Sequence, residues 1–279
     1  MGMYKIVIDS CGELFDEMKN NAHFANVPLT LEVGDWSISD DASFDQTEFL
    51  RRVEEYEGAP KSACPSPSAY MAEMEDADRV YIITLSAQLS GSYNSSVLAK
   101  NLFEEDEEDV QIHVFDSKSA SIGQTLIGKK IAELEEAGLS FEEVIEETDK
   151  YIESQHTFFV LESLETLRKA GRLSNLKSMI ANTLNIKPIM GSTEIGSIQQ
   201  LAQARGMKKA LEKMAECMME VTENTKERVL AISHCNCPNT AAMLKEIVES
   251  KASFKDIIVV DTNGVSSMYA NDGGIIMVV

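Results

Sequence analysis

A run of hydroxyl-bearing residues, Leu85-Ser86-Ala87-Gln88-Leu89-Ser90-Gly91-Ser92-Tyr93-Asn94-Ser95-Ser96, is where the sequence offers chemistry. It follows Val80 to Thr84, a β-branched and aromatic stretch that reads as a buried strand, and runs into Val97 to Lys100, which continues as a helix. A strand that turns at a glycine into a helix leaves the first N–H groups of that helix unpaired. Those donors, the helix dipole and the serine hydroxyls make a site for an anion, either phosphate or carboxylate. The plainer alternative is a capped helix after a loop, with Ser90 as the cap, and on this stretch alone both readings stand.

Other constellations are weaker. Arg172 follows Gly171 in a turn, and Arg205 follows a strand-like run; a guanidinium in either place suits planar, bidentate contact with a carboxylate or phosphate. Gly123-x4-Gly128-Lys129 imitates a phosphate-binding loop, but Lys130 stands where a Mg²⁺-binding Ser or Thr is required, so the glycines read as helix packing contacts. His234-Cys235-Asn236-Cys237 has no usual zinc spacing and no second cluster to complete it, so no metal site and no cofactor is expected. The chain has no G-x-S-x-G elbow, and its four histidines are scattered. A serine acyl hydrolase or acyltransferase using Ser90 is the enzyme alternative; the main reading assigns no catalytic residue.

The elements that must position these residues alternate in the first half. Strands are expected at residues 4–10, at 26–33 after Pro28, at 80–85 and at 110–115, with helices at 45–56, from about Ser90 to Phe103, through Ile127, Ile131 and Leu134 to Gly138, and from Phe141 to Ile152. Residues 58–68 form a proline-punctuated loop, after which Ser68 is placed to cap a helix. Alternation implies right-handed βαβ units and a parallel sheet. Three strands end in small polar groups, Asp9-Ser10, Thr84-Leu85-Ser86 and Asp116-Ser117, and ligands in such sheets sit beyond the carboxyl ends of the strands. The convergence strengthens the anion-site reading.

The second half is α+β. Phe158 begins a segment with Leu161, Leu164 and Leu167 at helical spacing; a helix is read at Met179 to Leu184, a strand at 186–190, a turn at 191–196, a long helix through Met207 to Val221, and strands at 229–232, 257–260 and 275–279 around a helix at 239–250. The expected division is residues 1–155, an α/β domain with the anion-binding loops, and residues 156–279, an α+β domain.

Composition sets the outer bounds. The 279 residues are 44% hydrophobic, enough for a sizeable core, and the net charge of −21 argues against a nucleic acid or an anionic membrane as partner. No stretch approaches the length of a membrane span, so no stable membrane insertion is expected. Five cysteines at irregular spacing argue against a disulfide framework, and the chain reads as cytoplasmic.

Taken in order, the motifs resemble the DegV family of bacterial fatty-acid-binding proteins. Ile8-Asp9-Ser10, the loop Pro60-Lys61-Ser62-Ala63-Cys64-Pro65-Ser66-Pro67, the run Leu85 to Tyr93, Val114 to Gly123, Leu164 to Ser174, and Ile186 to Ile189 with Gly196 to Ile198 and Arg205 match that family's segments along essentially the whole chain. The resemblance implies an acyl chain in a tunnel between two layers. Its carboxylate would be held by hydroxyls of Ser62 and Ser90 with Gly91 and Ser92, Arg172, Arg205 and Asn271 would support binding or phosphotransfer, and a separate fatty acid kinase would phosphorylate the bound lipid. Three positions depart from the family pattern: Ser62 stands for threonine, Cys64 for glutamine, and Asn271 near a histidine in H-x-G-P-G. Asparagine hydrogen-bonds but carries no proton near neutral pH, which leaves a lipid-binding regulatory module without phosphotransfer as a further alternative.

Overall fold

The computed structural model describes residues 3–107, 109–173 and 185–279. The chain opens with β1 (Tyr4–Asp9), the single turn α1 (Asp16–Lys19) and the short strands β2 (Phe24–Val27), β3 (Thr30–Val33) and β4 (Trp36–Ser39). Then come α2 (Gln46–Glu55), β5 (Lys61–Ala63), α3 (Pro67–Ala72), β6 (Arg79–Thr84), α4 (Ser92–Asp106), β7 (Gln111–Asp116), α5 (Ile122–Glu136) and α6 (Phe141–Ser154). The remainder comprises β8 (Thr157–Val160), α7 (Glu165–Lys169), β9 (Ile186–Ser192), β10 (Ile198–Arg205), α8 (Met207–Val221), β11 (Val229–His234), α9 (Pro238–Lys251), β12 (Asp256–Asp261), α10 (Gly264–Ala270) and β13 (Ile275–Val278).

β2, β1, β6 and β7 form a parallel sheet in that order. Side chains alternate across a strand, so each strand serves two cores. Ile6, Ile8, Tyr81 and Ile83 pack with Ile127, Ile131 and Val144 of α5 and α6, while Val7, Val80 and Ile82 face Tyr70 and Ala99 of α3 and α4. Both faces being covered explains why these strands read as continuous apolar runs. Gly128 lies inside α5, where an added Cβ would come within 2.7 Å of Ile8, so the phosphate-loop imitation is a helix-to-strand packing contact.

The second sheet has the order β10-β9-β8-β13-β11-β12, antiparallel except between β11 and β12. Its outer core gathers Leu211, Met214 and Met218 of α8 with Leu244 and Val248 of α9. A small antiparallel sheet, β4-β3-β5, stands apart from both and carries Ser62 opposite Leu31. The architecture is thus mixed α/β, with a parallel sheet followed by an α+β region.

Several local expectations need correction. Residues 26–33 are two strands in different sheets, split at Pro28, which can donate no ladder hydrogen bond. Ser66, not Ser68, caps α3: its hydroxyl accepts from Ala69 N at 3.3 Å, and Pro67 occupies the first helical position. Gly91, not Ser90, is the cap residue of α4. Phe158 belongs to a strand, because Thr157–Val160 pairs with β13 and sheet burial overrides the leucine spacing, which produces only the short α7. The helix read at Met179 to Leu184 lies outside the described residues.

Candidate functional site

A cavity of about 340 Å³ lies between the parallel sheet's loops and the six-stranded sheet. Its wall is chiefly apolar: Leu85 and Leu89 from one side, Phe159, Leu161 and Ile276 from the other, with Leu167 and Val265 between them. Its size falls at the lower end of ordinary ligand pockets. Ser62, Ser90, Gly91, Arg172 and Tyr269 also line it.

The strand-end acids build this wall. Asp9 accepts from Leu85 N at 2.7 Å, Cys11 N at 3.2 Å and Gln124 Nε2 at 2.9 Å. Asp116 accepts from Ala87 N at 3.1 Å and Lys118 N at 3.0 Å. The loop from Leu85 to Gly91 is therefore held by carboxylates of β1 and β7, the two strands that flank β6. Burial pushes the Asp9 carboxyl up against the opposing effect of these donors.

At the turn itself, Ser90 N donates to Ser86 O at 3.0 Å, and Ser92 N to the Ser90 hydroxyl at 3.2 Å. Among the described residues, the N–H groups of Gly91, Tyr93 and Asn94 at the start of α4 have no protein partner. The Ser90 and Ser92 hydroxyls are 3.0 Å apart, but Ser92 is fully buried behind Ser90 and does not line the cavity. Its place is to orient Ser90.

Ser62 reaches the same space from β5, and its hydroxyl lies 3.2 Å from that of Tyr269 on α10. Arg172 crosses between the two loops: its Nε donates to Leu89 O at 3.1 Å, its Nη1 donates to Ala170 O at 2.6 Å, and its guanidinium stands 6.0 Å from the Tyr269 ring. The start of α10 is fixed by Asp40, which accepts from Gly264 N at 2.8 Å, Val265 N at 2.9 Å and Ser10 Oγ at 2.9 Å. Burial raises the Asp40 carboxyl to about 6, despite those three donors.

Two residues selected from sequence stand elsewhere. Arg205 is exposed at the end of β10, paired in register with Ile186, and does not line the cavity. Asn271 lies just behind the wall: its Oδ1 accepts from Thr166 Oγ1 at 3.3 Å and its Nδ2 donates to Tyr269 O at 3.3 Å, so it braces α10. No histidine or carboxylate lines the cavity among the described residues, and the Ser90 hydroxyl meets the Ser92 hydroxyl and N–H. The described residues also gather no cluster of metal-binding side chains.

Tyr269 and the deeper serines were missed from sequence. Ser121 lines the cavity in a backbone conformation rare for a side-chain-bearing residue, with φ +58°. Its hydroxyl donates to the buried Glu13 at 2.8 Å and lies 2.7 Å from Ser233. Burial pushes the Glu13 carboxyl up to about 7.

The DegV family model matches residues 3–278. The chain belongs to the DegV family. A DegV domain-containing protein of Streptococcus pneumoniae is 37% identical over 257 residues, covering 92% of this chain and 91% of that one. A solved DegV structure from Ruminococcus gnavus, described with vaccenic acid, is 51% identical, covers 99% of both chains and superposes with a TM-score of 0.96. The Streptococcus pneumoniae fatty acid kinase (Fak) B3 protein, loaded with linoleic acid, is 34% identical and covers 99% of this chain and 98% of its own, with a TM-score of 0.90.

Proposed function

We propose that this DegV protein binds a long-chain fatty acid in the cavity and presents its carboxylate to a fatty acid kinase in the cytoplasm. The observation that carries the reading is a chiefly apolar cavity onto which Ser62, Ser90, Gly91, Arg172 and Tyr269 converge. At ~0.8 kcal/mol per buried methylene, an acyl chain of about fifteen gains on the order of 12 kcal/mol by leaving water. The carboxylate stays at the mouth, hydrogen-bonded by the Ser62 and Ser90 hydroxyls and the Gly91 N–H, with Ser92 orienting Ser90. Residues 1–155 supply those loops, and residues 156–279 cover the chain as a tunnel. Arg172 and Lys118 are the cations lining the cavity among the described residues, and Arg172 supports the carboxylate at the mouth; Asn271 acts by holding α10, and Arg205 takes no direct part. The likeness to structures described with vaccenic and linoleic acids supports the ligand class, and likeness to the Fak B3 protein supports the kinase partner.

Mass spectrometry of lipid extracted from the purified protein tests the first half. A stoichiometric C16–C18 acid is the expected result; repeated absence of any acyl ligand after expression in fatty-acid-fed cells would overturn it. Incubating the loaded protein with a fatty acid kinase and ATP tests the second half, with acyl phosphate as the expected product.

A further inference from the structure

A second concavity, of about 300 Å³, lies where α5 and α6 meet the beginnings of β11 and β12. It shares no lining residue with the acyl cavity. Its walls bring together Lys129 and Lys130 of α5, Arg228 before β11 and Lys255 before β12. In a chain of net charge −21, four cations around one hollow are conspicuous. Most lysines and arginines elsewhere have a carboxylate close by, as in Lys150 with Glu146 and Glu147 or Arg51 with Glu48 and Glu55. Lys130, Arg228 and Lys255 enter no ion pair among the described residues, and Lys129 has only a 4.0 Å approach to Glu133. Two side-chain carboxylates, Glu133 and Glu227, and Val279, the last residue of the sequence, share the rim with the four cations.

Arg228 is held in place before any ligand arrives. Its Nε donates to Glu223 O at 3.2 Å and its Nη1 to Ser154 O at 2.9 Å, which fixes the plane of the guanidinium. A fixed fork loses less entropy on binding an anion than a free one does. Lys130 and Lys255 are flexible point charges able to close on the same group. Beneath them, Leu126, Tyr151 and Val229 give an apolar floor, and burial pushes the Tyr151 hydroxyl up to about 12, so it stays protonated. A fixed guanidinium fork flanked by lysines suits the oxygens of a phosphate, and the floor accommodates an organic body.

We propose that this pocket binds a phosphate monoester, with Arg228 as the fixed anchor and Lys130 and Lys255 as the closing cations. The phosphate belongs either to a small soluble ester or to a lipid headgroup; the chemistry of recognition is the same.

The test titrates the full chain with glycerol 3-phosphate by calorimetry and, separately, with vesicles of phosphatidylcholine containing phosphatidic acid. Saturable one-site binding of glycerol 3-phosphate, weakened about tenfold or more in the double variant K130E/K255E, supports a soluble ester. Binding confined to phosphatidic acid vesicles, with the same sensitivity, supports a headgroup, and both together support the shared chemistry. Neither lysine forms an ion pair among the described residues, so the double variant should fold, which circular dichroism checks. R228Q, which retains a planar hydrogen-bonding head, should also weaken binding. No saturable binding of either probe, or equal binding by wild type and K130E/K255E, overturns the proposal. Acyl content of the same samples should be unchanged, so failure here leaves the fatty-acid reading untouched.

Discussion

The hydroxyls of Ser62 and Tyr269 meet at 3.2 Å, joining the edge strand β5 to helix α10 across 207 positions of sequence. The pair fixes the serine rotamer at the cavity mouth. A hydrogen bond to a charged group is worth about 1.5–3 kcal/mol, against about 0.5–1.5 for a neutral one. Ser62→Ala should therefore weaken binding of a fluorescent fatty acid by about 10- to 100-fold, and Tyr269→Phe by about tenfold or less. Equal losses in the two variants would mean that Tyr269 itself holds the carboxylate.

Glu13 makes stability depend on pH. In the unfolded chain its carboxyl ionises near 4.5, whereas in the folded protein burial holds the proton up to about 7. Between those values the folded state binds a proton that the unfolded state has lost, so its contribution to stability falls as pH rises through that window. Asp40 acts in the same direction between 3.8 and about 6. Glu13→Gln keeps a neutral polar side chain, so urea unfolding from pH 5 to 8 should show a flatter profile, with a gain on the order of 3 kcal/mol near pH 8. Parallel wild-type and variant profiles would sink this account.

Ser121 carries two opposing effects. Its φ of +58° is strained for any residue with a Cβ, yet its hydroxyl bonds Glu13 and Ser233. Ser121→Ala loses the bonds and keeps the strain; Ser121→Gly loses the bonds but relieves the strain. The glycine variant should therefore be the more stable of the two by about 1–2 kcal/mol, measured by denaturant midpoint.

Gly264 is a packing requirement. A Cβ there would stand 2.5 Å from Asp40 Oδ1 and 2.5 Å from Leu31 Cδ1. Gly264→Ala should cost about 1–3 kcal/mol and displace α10, so thermal stability and fatty-acid affinity should fall together. An alanine variant with wild-type affinity would mean that the helix can shift without moving Tyr269.

Much of this architecture could be read from local pattern. The apolar runs of β1, β6 and β7 have both faces covered, and amphipathic α6 and α8 announce their buried stripes, so alternation and fold class followed. Ser90, Gly91 and Arg172 stood out as a hydroxyl, a glycine turn and a guanidinium at helix and turn ends, whereas Ser62 was reached only through the likeness of its loop to the DegV family. What escaped depends on distant neighbours. Phe158 and Phe159 sit in a strand only because β13 lies alongside. Tyr269 reaches the cavity only because Asp40 fixes α10, and Ser92 looks equivalent to Ser90 until its burial is known. Arg205 shows the converse: a residue type suited to an anion, at a position facing solvent.

The Ser86 hydroxyl, one turn before Ser90, donates to Gly196 O at 2.8 Å in the β9–β10 hairpin, where Gly196 turns with φ +82°. One side of the polar mouth is thereby fastened to the opposite layer by a bond that must break before the layers part. If a ligand lying between them leaves only when the layers part, its residence time would follow how often the protein opens, not how strongly any one methylene is held. Acids of different length would leave at similar rates while differing in how readily they enter, so selectivity among them would be decided at loading.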